Sequence, residues 1–182
     1  MVLTALFAAV ICVLGPIAVP IGTISITLQI FAILLTVYII GPFRGTISLI
    51  IYLILGSVGI PVFSGYSSGF ACLTGPTGGY LVGFIFTAVI SGIFFRAFPV
   101  IGEMSRNRRI INIVLEFIGM VLGILVCYAF GTVWFCIQAS YSVGAALAVC
   151  VFPFIPFDLM KSAAVLIAGP QILRALKKAK LV

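Results

Sequence analysis

Long apolar runs, separated by short segments rich in glycine, proline or charge, make up most of the chain. A helix needs roughly 20 residues to cross about 30 Å of hydrocarbon. Six runs reach or approach this length. The pattern therefore predicts an all-α membrane protein, a single transmembrane domain over residues 1–182, with six helices at residues 3–19, 25–40, 46–58, 76–98, 110–130 and 142–175.

The sixth run contains two prolines, Pro153 and Pro156. Each proline removes a backbone N–H donor and disfavours helix in the residue before it. We therefore expect helix six to break near Pro153 and Pro156 and to start again near Phe157.

Composition agrees with a membrane protein, since 64% of the residues are hydrophobic and the mean hydropathy is +1.42. Soluble domains are roughly half apolar. The net charge of +7 comes from short Lys and Arg clusters between the runs, a pattern that reports membrane orientation, so we expect a lipid bilayer as surroundings and no nucleic-acid partner.

The chain has no histidine, and its five cysteines show no CxxC spacing. A metal site is therefore not supported, and the cysteines are interpreted as small apolar fillers. A disulfide between Cys72 and Cys136 remains open, because both fall in segments on the same predicted side of the membrane.

The positions of the basic residues predict how the chain is oriented in the membrane. If six helices cross in succession, the uncharged segments 21–24, 59–75 and 131–141 lie on one side. By the positive-inside rule the other side, with both termini, is cytoplasmic. All basic residues but Lys161 fall on that inner side: Arg44, Arg96, Arg106, Arg108, Arg109, Arg174, Lys177, Lys178 and Lys180.

The exception lies in the stretch "IPFDLMK", which places Asp158 and Lys161 three residues apart in the first turns of the restarted helix. This spacing puts both side chains on one helix face near the outer surface. They could form an ion pair that lets two charges coexist in apolar surroundings. Alternatively they form a polar ligand site, which the rarity of intramembrane charges favours.

The two other acidic residues lie towards the cytoplasmic side. Glu116 shares a helix face with Arg109 and Asn112, so we expect a structural pair with an arginine rather than a proton-carrying role. Glu103 lies among the arginines of the inner loop and is expected to be solvated.

The longest outer connection, residues 56–80, is uncharged and rich in Gly, Ser and aromatic residues. Its aromatic side chains could cover a ligand ring, or they could simply anchor a surface loop at the membrane interface. The aromatic residues are Phe63, Tyr66, Phe70 and Tyr80.

The "GPTGG" turn in the same connection lacks the Lys-Ser/Thr of a phosphate-binding loop. Any ATP hydrolysis therefore belongs to another subunit.

Small residues four apart predict close helix packing at two places. Ala5 and Ala9 form such a face on helix one, and Gly119 and Gly123 form another on helix five. Packing within the chain and docking to another membrane subunit are both compatible with this spacing.

Four stretches in order, "ITLQ", "GIPVF", "GPTGGYLVGF" and "PFDLMK", resemble the BioY family, the biotin-specific S components of energy-coupling factor (ECF) transporters. The resemblance spans nearly the whole chain. It implies a six-helix membrane protein that captures biotin near the extracellular face, with no cofactor of its own. It also implies association with a transmembrane T component and two cytoplasmic ATPase subunits.

The resemblance also assigns residues. It implies that Asp158 and Lys161 contribute to the biotin site and that Thr74, Thr77 and Tyr80, around the GPTGG turn, line it. Gln29 is an additional candidate contact. The family docks on its T component through an Ala-xxx-Ala face, which Ala5 and Ala9 match here.

The sequence thus predicts a multi-pass protein of the cell membrane that binds biotin for an ATP-driven importer and is not an enzyme. An S component for a different vitamin is the nearest alternative. A membrane channel using Asp158 and Glu116, or a scaffold without a ligand, are alternatives from other classes.

Overall fold

The computed structural model describes residues 1–21, 24–102 and 104–179. Glu103 and Lys180, to which the sequence assigned a place at the inner surface, lie outside these residues. Eight α-helices, one 3-10 turn at Ser64–Tyr66 and a two-stranded hairpin follow one another along the described chain. The helices are α1 Val2–Leu14, α2 Gln29–Ile40, α3 Pro42–Val58, α4 Phe70–Thr74, α5 Gly78–Ala97, α6 Arg106–Ala139, α7 Val143–Cys150 and α8 Ile155–Lys178; the strands are β1 Ala18–Ile21 and β2 Ile24–Thr27.

The predicted helical membrane fold is confirmed, and each of the six apolar runs forms a helix or a broken helix. Three helices, α5, α6 and α8, are long and apolar enough to cross a bilayer. The helices α1, α2 and α3 are shorter and also apolar. The fifth run is longer than expected, because α6 continues through residues 131–139, which the sequence pattern placed in an outer loop.

An antiparallel hairpin replaces part of the first two predicted helices. Strands β1 and β2 pair with Ala18 opposite Thr27 and Val19 opposite Ile26. Helix α1 ends at Leu14, and Pro16, two residues further along, cannot donate a hydrogen bond to continue it. The β-branched residues beyond it favour extended structure.

Helix α2 forms the centre of the protein. Every one of its residues except Phe31 is buried, and it contacts α1, α3, α5 and α8. A helix that is apolar around its whole circumference is expected to lie inside a bundle. The fold therefore arranges the other long helices around α2.

Helices α5 and α6 pack most closely, and the predicted glycine pair lies in their interface. A Cβ on Gly119 would lie 2.3 Å from Phe94 Cγ, so only glycine allows this approach. The Thr87 hydroxyl donates to the Gly123 carbonyl over 3.0 Å. This small-residue face therefore serves packing within the chain.

The predicted break in the sixth run lies at residues 151–154, between α7 and α8. Helix α8 begins at Ile155, two residues before the expected Phe157, and Pro156 occupies its first turn. A proline there costs no hydrogen bond, since the first N–H groups of a helix have no intrahelical partner.

Glu116 does not form the arginine pair expected from the sequence. The carboxylate is 1% exposed, whereas Arg109 is exposed, and the ion pair found among the described residues lies elsewhere. Asn112, which shares its helix face, donates instead to the Pro99 carbonyl over 2.8 Å. The expectation fails because the arginines at this end extend away from the bundle.

Candidate functional site

A cavity of about 270 Å³ lies at the end of the bundle opposite the arginine clusters. Strand β2, the connection after α3, the N-terminal turns of α2, α5 and α8, and the C-terminal half of α6 surround it. Its apolar wall contains aromatic and aliphatic side chains: Ile30, Phe63, Leu81, Phe84 and Phe154. A small pocket that is mostly apolar with a few convergent polar groups is the usual form of a ligand site.

The charged wall of this cavity is formed by Asp158 and Lys161 of α8 and by Tyr128 of α6. The Lys161 ammonium donates to Asp158 Oδ1 over 2.8 Å, and the Tyr128 hydroxyl donates to Asp158 Oδ2 over 2.6 Å. The Asp158 side chain is 3% exposed and that of Lys161 is 12% exposed. Each carboxylate oxygen thus has one protein donor.

The restart of the helix after the proline break places Asp158 in the first turn of α8. A carboxylate in the first turn is favoured by the positive end of the helix dipole. Lys161 follows at i+3 and so lies on the same face. The break therefore positions both charges at the cavity rather than in lipid.

An uncharged polar group lies at the N-terminal end of α2. Gln29 is buried, and its Nε2 donates to the hydroxyl of Tyr52 on α3. Thr27 Oγ1 donates to Gln29 Oε1 over 3.2 Å. Tyr52 in turn packs edge-on against the cavity residue Phe63. These contacts connect β2, the start of α2 and the segment after α3.

The GPTGG turn is held against α6 by side-chain hydrogen bonds. Trp134 Nε1 donates to the Gly75 carbonyl over 3.0 Å. The hydroxyls of Tyr80 and Thr132 are 3.0 Å apart and share a hydrogen bond. Thr77 and Tyr80 both line the cavity, so the turn forms one of its edges.

The sequence model of the BioY family matches residues 1–178. The chain belongs to the BioY family. It is 36% identical over 170 residues to the probable biotin transporter BioY of Pyrococcus horikoshii, covering 93% of both chains, and 37% identical over 176 residues to biotin transporter BioY2 of Lactococcus lactis, covering 96% and 90%. The resemblance that the four sequence stretches indicated is thereby confirmed.

A solved structure agrees with this family at the level of the fold. A crystal structure of the S-component for biotin from an ECF-type ABC transporter superposes with a TM-score of 0.81 at 28% identity. The match covers 94% of this chain and 88% of the other. The BioY family consists of transport subunits, and this chain is accordingly a membrane transport protein and not an enzyme.

Most of the binding residues implied by the family resemblance converge on the cavity. Gln29, Thr77, Tyr80, Asp158 and Lys161 all line it. Thr74 does not: it is exposed, and its hydroxyl donates to the carbonyl of Phe70 over 3.3 Å. Contact of the five cavity-lining residues with a ligand stays a prediction.

The aromatic residues of the long connection, residues 56–80, fall into two groups. One group suits the interpretation as a ligand cover, and the other suits the interpretation as an interfacial surface. Phe63 and Tyr80 line the cavity, which suits a ligand-covering role. Tyr66 and Phe70 are 68% and 66% exposed, which suits an interfacial surface.

Sequence reasoning missed Tyr128 as a cavity residue. It is 7% exposed and lies on the same α6 face as three other buried residues, Glu116, Met120 and Ile124, at spacings of four. This periodicity in the sequence could have placed Tyr128 inside the bundle. Its pairing with Asp158 depends on how α6 and α8 pack, which the sequence did not reveal.

The cysteines of the described chain are free thiols, including Cys72 and Cys136. Within the same residues, no three His, Cys, Asp or Glu side chains are grouped so that they could hold a metal ion.

A second feature of this BioY-family chain is a shallow apolar groove between α1 and α3. Ala5 and Ala9 are exposed in it, and Ala8 forms its floor. Its remaining wall consists of Cys12, Val13, Ile51, Leu55, Ile60 and Val62.

Proposed function

We propose that this chain is the substrate-capture subunit of an ECF-type importer and that it binds biotin in the cavity at the end opposite the arginine clusters. The observation that carries the proposal is the hydrogen-bonded trio of buried Asp158, buried Tyr128 and part-buried Lys161 in a mostly apolar cavity. Charges buried in a membrane bundle are costly, and they mark substrate pathways. The names of the relatives, biotin transporters, specify the ligand.

Biotin fits the chemistry of the cavity. Its ureido ring offers two N–H donors and a carbonyl acceptor, next to an apolar sulfur ring and a carboxylate tail. An ionised carboxylate such as Asp158 only accepts hydrogen bonds, so it pairs with the ureido N–H groups and repels the biotin carboxylate. Lys161 donates to a carbonyl or carboxylate oxygen, and the aromatic wall covers the ring.

The proposed orientation places the cavity outside and both termini in the cytoplasm. Among the described residues, Lys161 is the one basic residue at the cavity end, and the arginine-bearing ends of α3, α5, α6 and α8 lie at the other. Basic residues accumulate on the cytoplasmic side of membrane proteins.

The proposed partners are a T component and two ATPase subunits. The groove of Ala5 and Ala9 offers the T component small side chains, which let helix backbones approach closely in a membrane. The GPTGG turn lacks the lysine of a phosphate-binding loop, so ATP hydrolysis is assigned to the partners. Residues 1–182 act in this complex as one substrate-binding domain.

Biotin binding to the purified protein tests the proposal. We expect endogenous biotin to copurify, and we expect titration calorimetry in detergent to give a nanomolar to micromolar Kd. An excess of each other vitamin should fail to displace biotin. Displacement by another vitamin, with tighter binding, would assign the subunit to that vitamin, and the lack of any vitamin binding would favour a channel or scaffold.

A further inference from the structure

Within the described residues, Tyr128 is the one side chain whose hydroxyl donates a hydrogen bond to the Asp158 carboxylate of the cavity. Its O–H donates to Asp158 Oδ2 over 2.6 Å, and both side chains are buried. A separation of 2.5–2.7 Å is typical of a hydroxyl that donates to an ionised carboxylate. The contact is therefore a charge-assisted hydrogen bond between α6 and α8.

Three other tyrosines of the bundle provide a comparison: Tyr38 and Tyr52 are buried, and Tyr80 is half-buried. The hydroxyls of Tyr52 and Tyr80 bond to neutral partners, Gln29 and Thr132. The hydroxyl of Tyr38 has no hydrogen-bond partner within the described residues. Tyr52 shows that a buried tyrosine can be accommodated in this bundle beside a neutral partner, so filling space does not by itself account for the bond at Tyr128.

We propose that Tyr128 is a positioning residue that orients the Asp158 carboxylate towards ligand N–H groups and so determines selectivity for a ligand with such donors. This inference rests on the proposed function and extends it to a residue that touches the acid from the opposite helix. The bond to Tyr128 keeps Oδ2 turned away from Lys161, which holds Oδ1.

Because Tyr128 and Lys161 bind different oxygens of the Asp158 carboxylate, both oxygens can still accept hydrogen bonds from a ligand. A carboxylate has about four lone-pair positions, and Tyr128 and Lys161 occupy one on each oxygen. Without the tyrosine hydroxyl, the carboxylate is free to rotate about its last torsion, which is broad and soft, and to turn both oxygens to the ammonium. Its remaining lone pairs would then no longer point at the ligand.

A double-mutant cycle on the full-length protein in detergent tests the inference. We expect Tyr128→Phe to weaken biotin binding at least tenfold, and we expect the same substitution in an Asp158→Asn background to change Kd less than twofold. Non-additivity of this kind indicates that one residue acts through the other. Tyr38→Phe, which removes a buried hydroxyl outside the cavity, is the matched control and should leave Kd unchanged.

A ligand series separates positioning from a merely structural role. The tenfold penalty of Tyr128→Phe should vanish for a biotin analogue that is methylated on the ureido nitrogen whose N–H pairs with Asp158, and both singly methylated analogues are to be measured. Equal penalties for biotin and both analogues, equal penalties in both backgrounds, or an unchanged Kd would overturn the inference. Lack of biotin binding by the unsubstituted protein would overturn the proposed function, and this inference with it.

Discussion

Asp158 and Lys161 have surroundings that make their charges expensive to maintain. The desolvation of two buried charges is offset only when the geometry is good and further hydrogen bonds are made. Here the 2.8 Å ion pair is supplemented by the Tyr128 hydroxyl. Because this ion pair is costly to maintain, a role in ligand binding explains it better than a purely structural role.

Removing either charge should weaken biotin binding at least tenfold, or about 1.4 kcal/mol. Asp158→Asn replaces a charged acceptor by a weaker neutral one, and Lys161→Ala removes an ammonium donor and leaves the carboxylate unpaired. Calorimetric titration of both variants measures the effect. Lys177→Ala, an exposed lysine at the opposite end of α8, should bind biotin normally. Unchanged binding in both cavity variants would remove the ion pair from the site.

The sequence predicted the charged half of the site but not its hydroxyl. Asp158 and Lys161 were recognisable because charges are rare in this chain and Lys161 alone departs from the inside-positive pattern. Tyr128 carries no such mark, since a tyrosine in an apolar helix is chemically ordinary. Thr74 is the opposite case, since the family resemblance implied it for the site, but it is exposed and does not line the cavity.

At the scale of helices and strands, close packing of α5 on α6 aligns the walls of the cavity. Tyr80 and Leu81 come from α5, and Cys127 and Tyr128 come from α6. The glycines of α6 set the distance between the two helices. The helix pair therefore forms one closely packed wall of the cavity.

Gly119→Ala should lower the stability of the protein by roughly 1–3 kcal/mol, because its new methyl group would overlap Phe94 near the backbone, where the ring cannot swing aside. Gly144→Ala is the matched control, since a methyl group there meets nothing within 4 Å. It should be neutral or stabilising by up to about 1 kcal/mol through helix propensity. Thermal unfolding in detergent measures both, and equal midpoints would contradict the packing argument.

The existence of the main helices was predictable from hydropathy, whereas their boundaries and the hairpin were not. Apolar length identified all six runs and the prolines identified the break before α8. The hairpin was missed because strands of four residues inside apolar runs have no periodicity of their own. Helix α6 was underestimated because its last turns carry several polar and small residues.

At the scale of the whole molecule, the cavity and the groove between α1 and α3 are separate surfaces. The cavity lies at one end of the bundle, whereas the groove runs along α1 and α3. Capture and partner docking are therefore expected to respond to different substitutions.

Ala5→Leu combined with Ala9→Leu should leave the biotin Kd unchanged while it abolishes copurification with the T component and ATP-driven biotin uptake. Larger side chains would fill the groove and keep a partner helix at a distance. Ala129→Leu, at an exposed alanine of α6, is the matched control and should retain uptake. Uptake at the normal rate by the double variant would exclude this groove as the docking surface.

The proposed orientation predicts the labelling of Cys72, which is half-buried and lines the cavity. A membrane-impermeant maleimide added outside intact cells should modify Cys72, and biotin should protect it. Mass spectrometry of the labelled peptide measures the modification, with Cys72→Ser as the negative control. Labelling only after the cells are opened would reverse the assigned orientation.

The shortness of the central helix has a consequence for the surrounding bilayer. The 12 residues of α2 extend over about 18 Å, well short of the roughly 30 Å thickness of the hydrocarbon. Beyond α2 lies the hairpin, whose unpaired backbone edges require water or protein rather than lipid. Water or protein must therefore surround the backbone down to the first turn of α2. In the proposed orientation, a ligand would reach the cavity from water that extends into the outer half of the bilayer. Under the proposed function, biotin would thus be bound within the thickness of the membrane without entering its hydrocarbon.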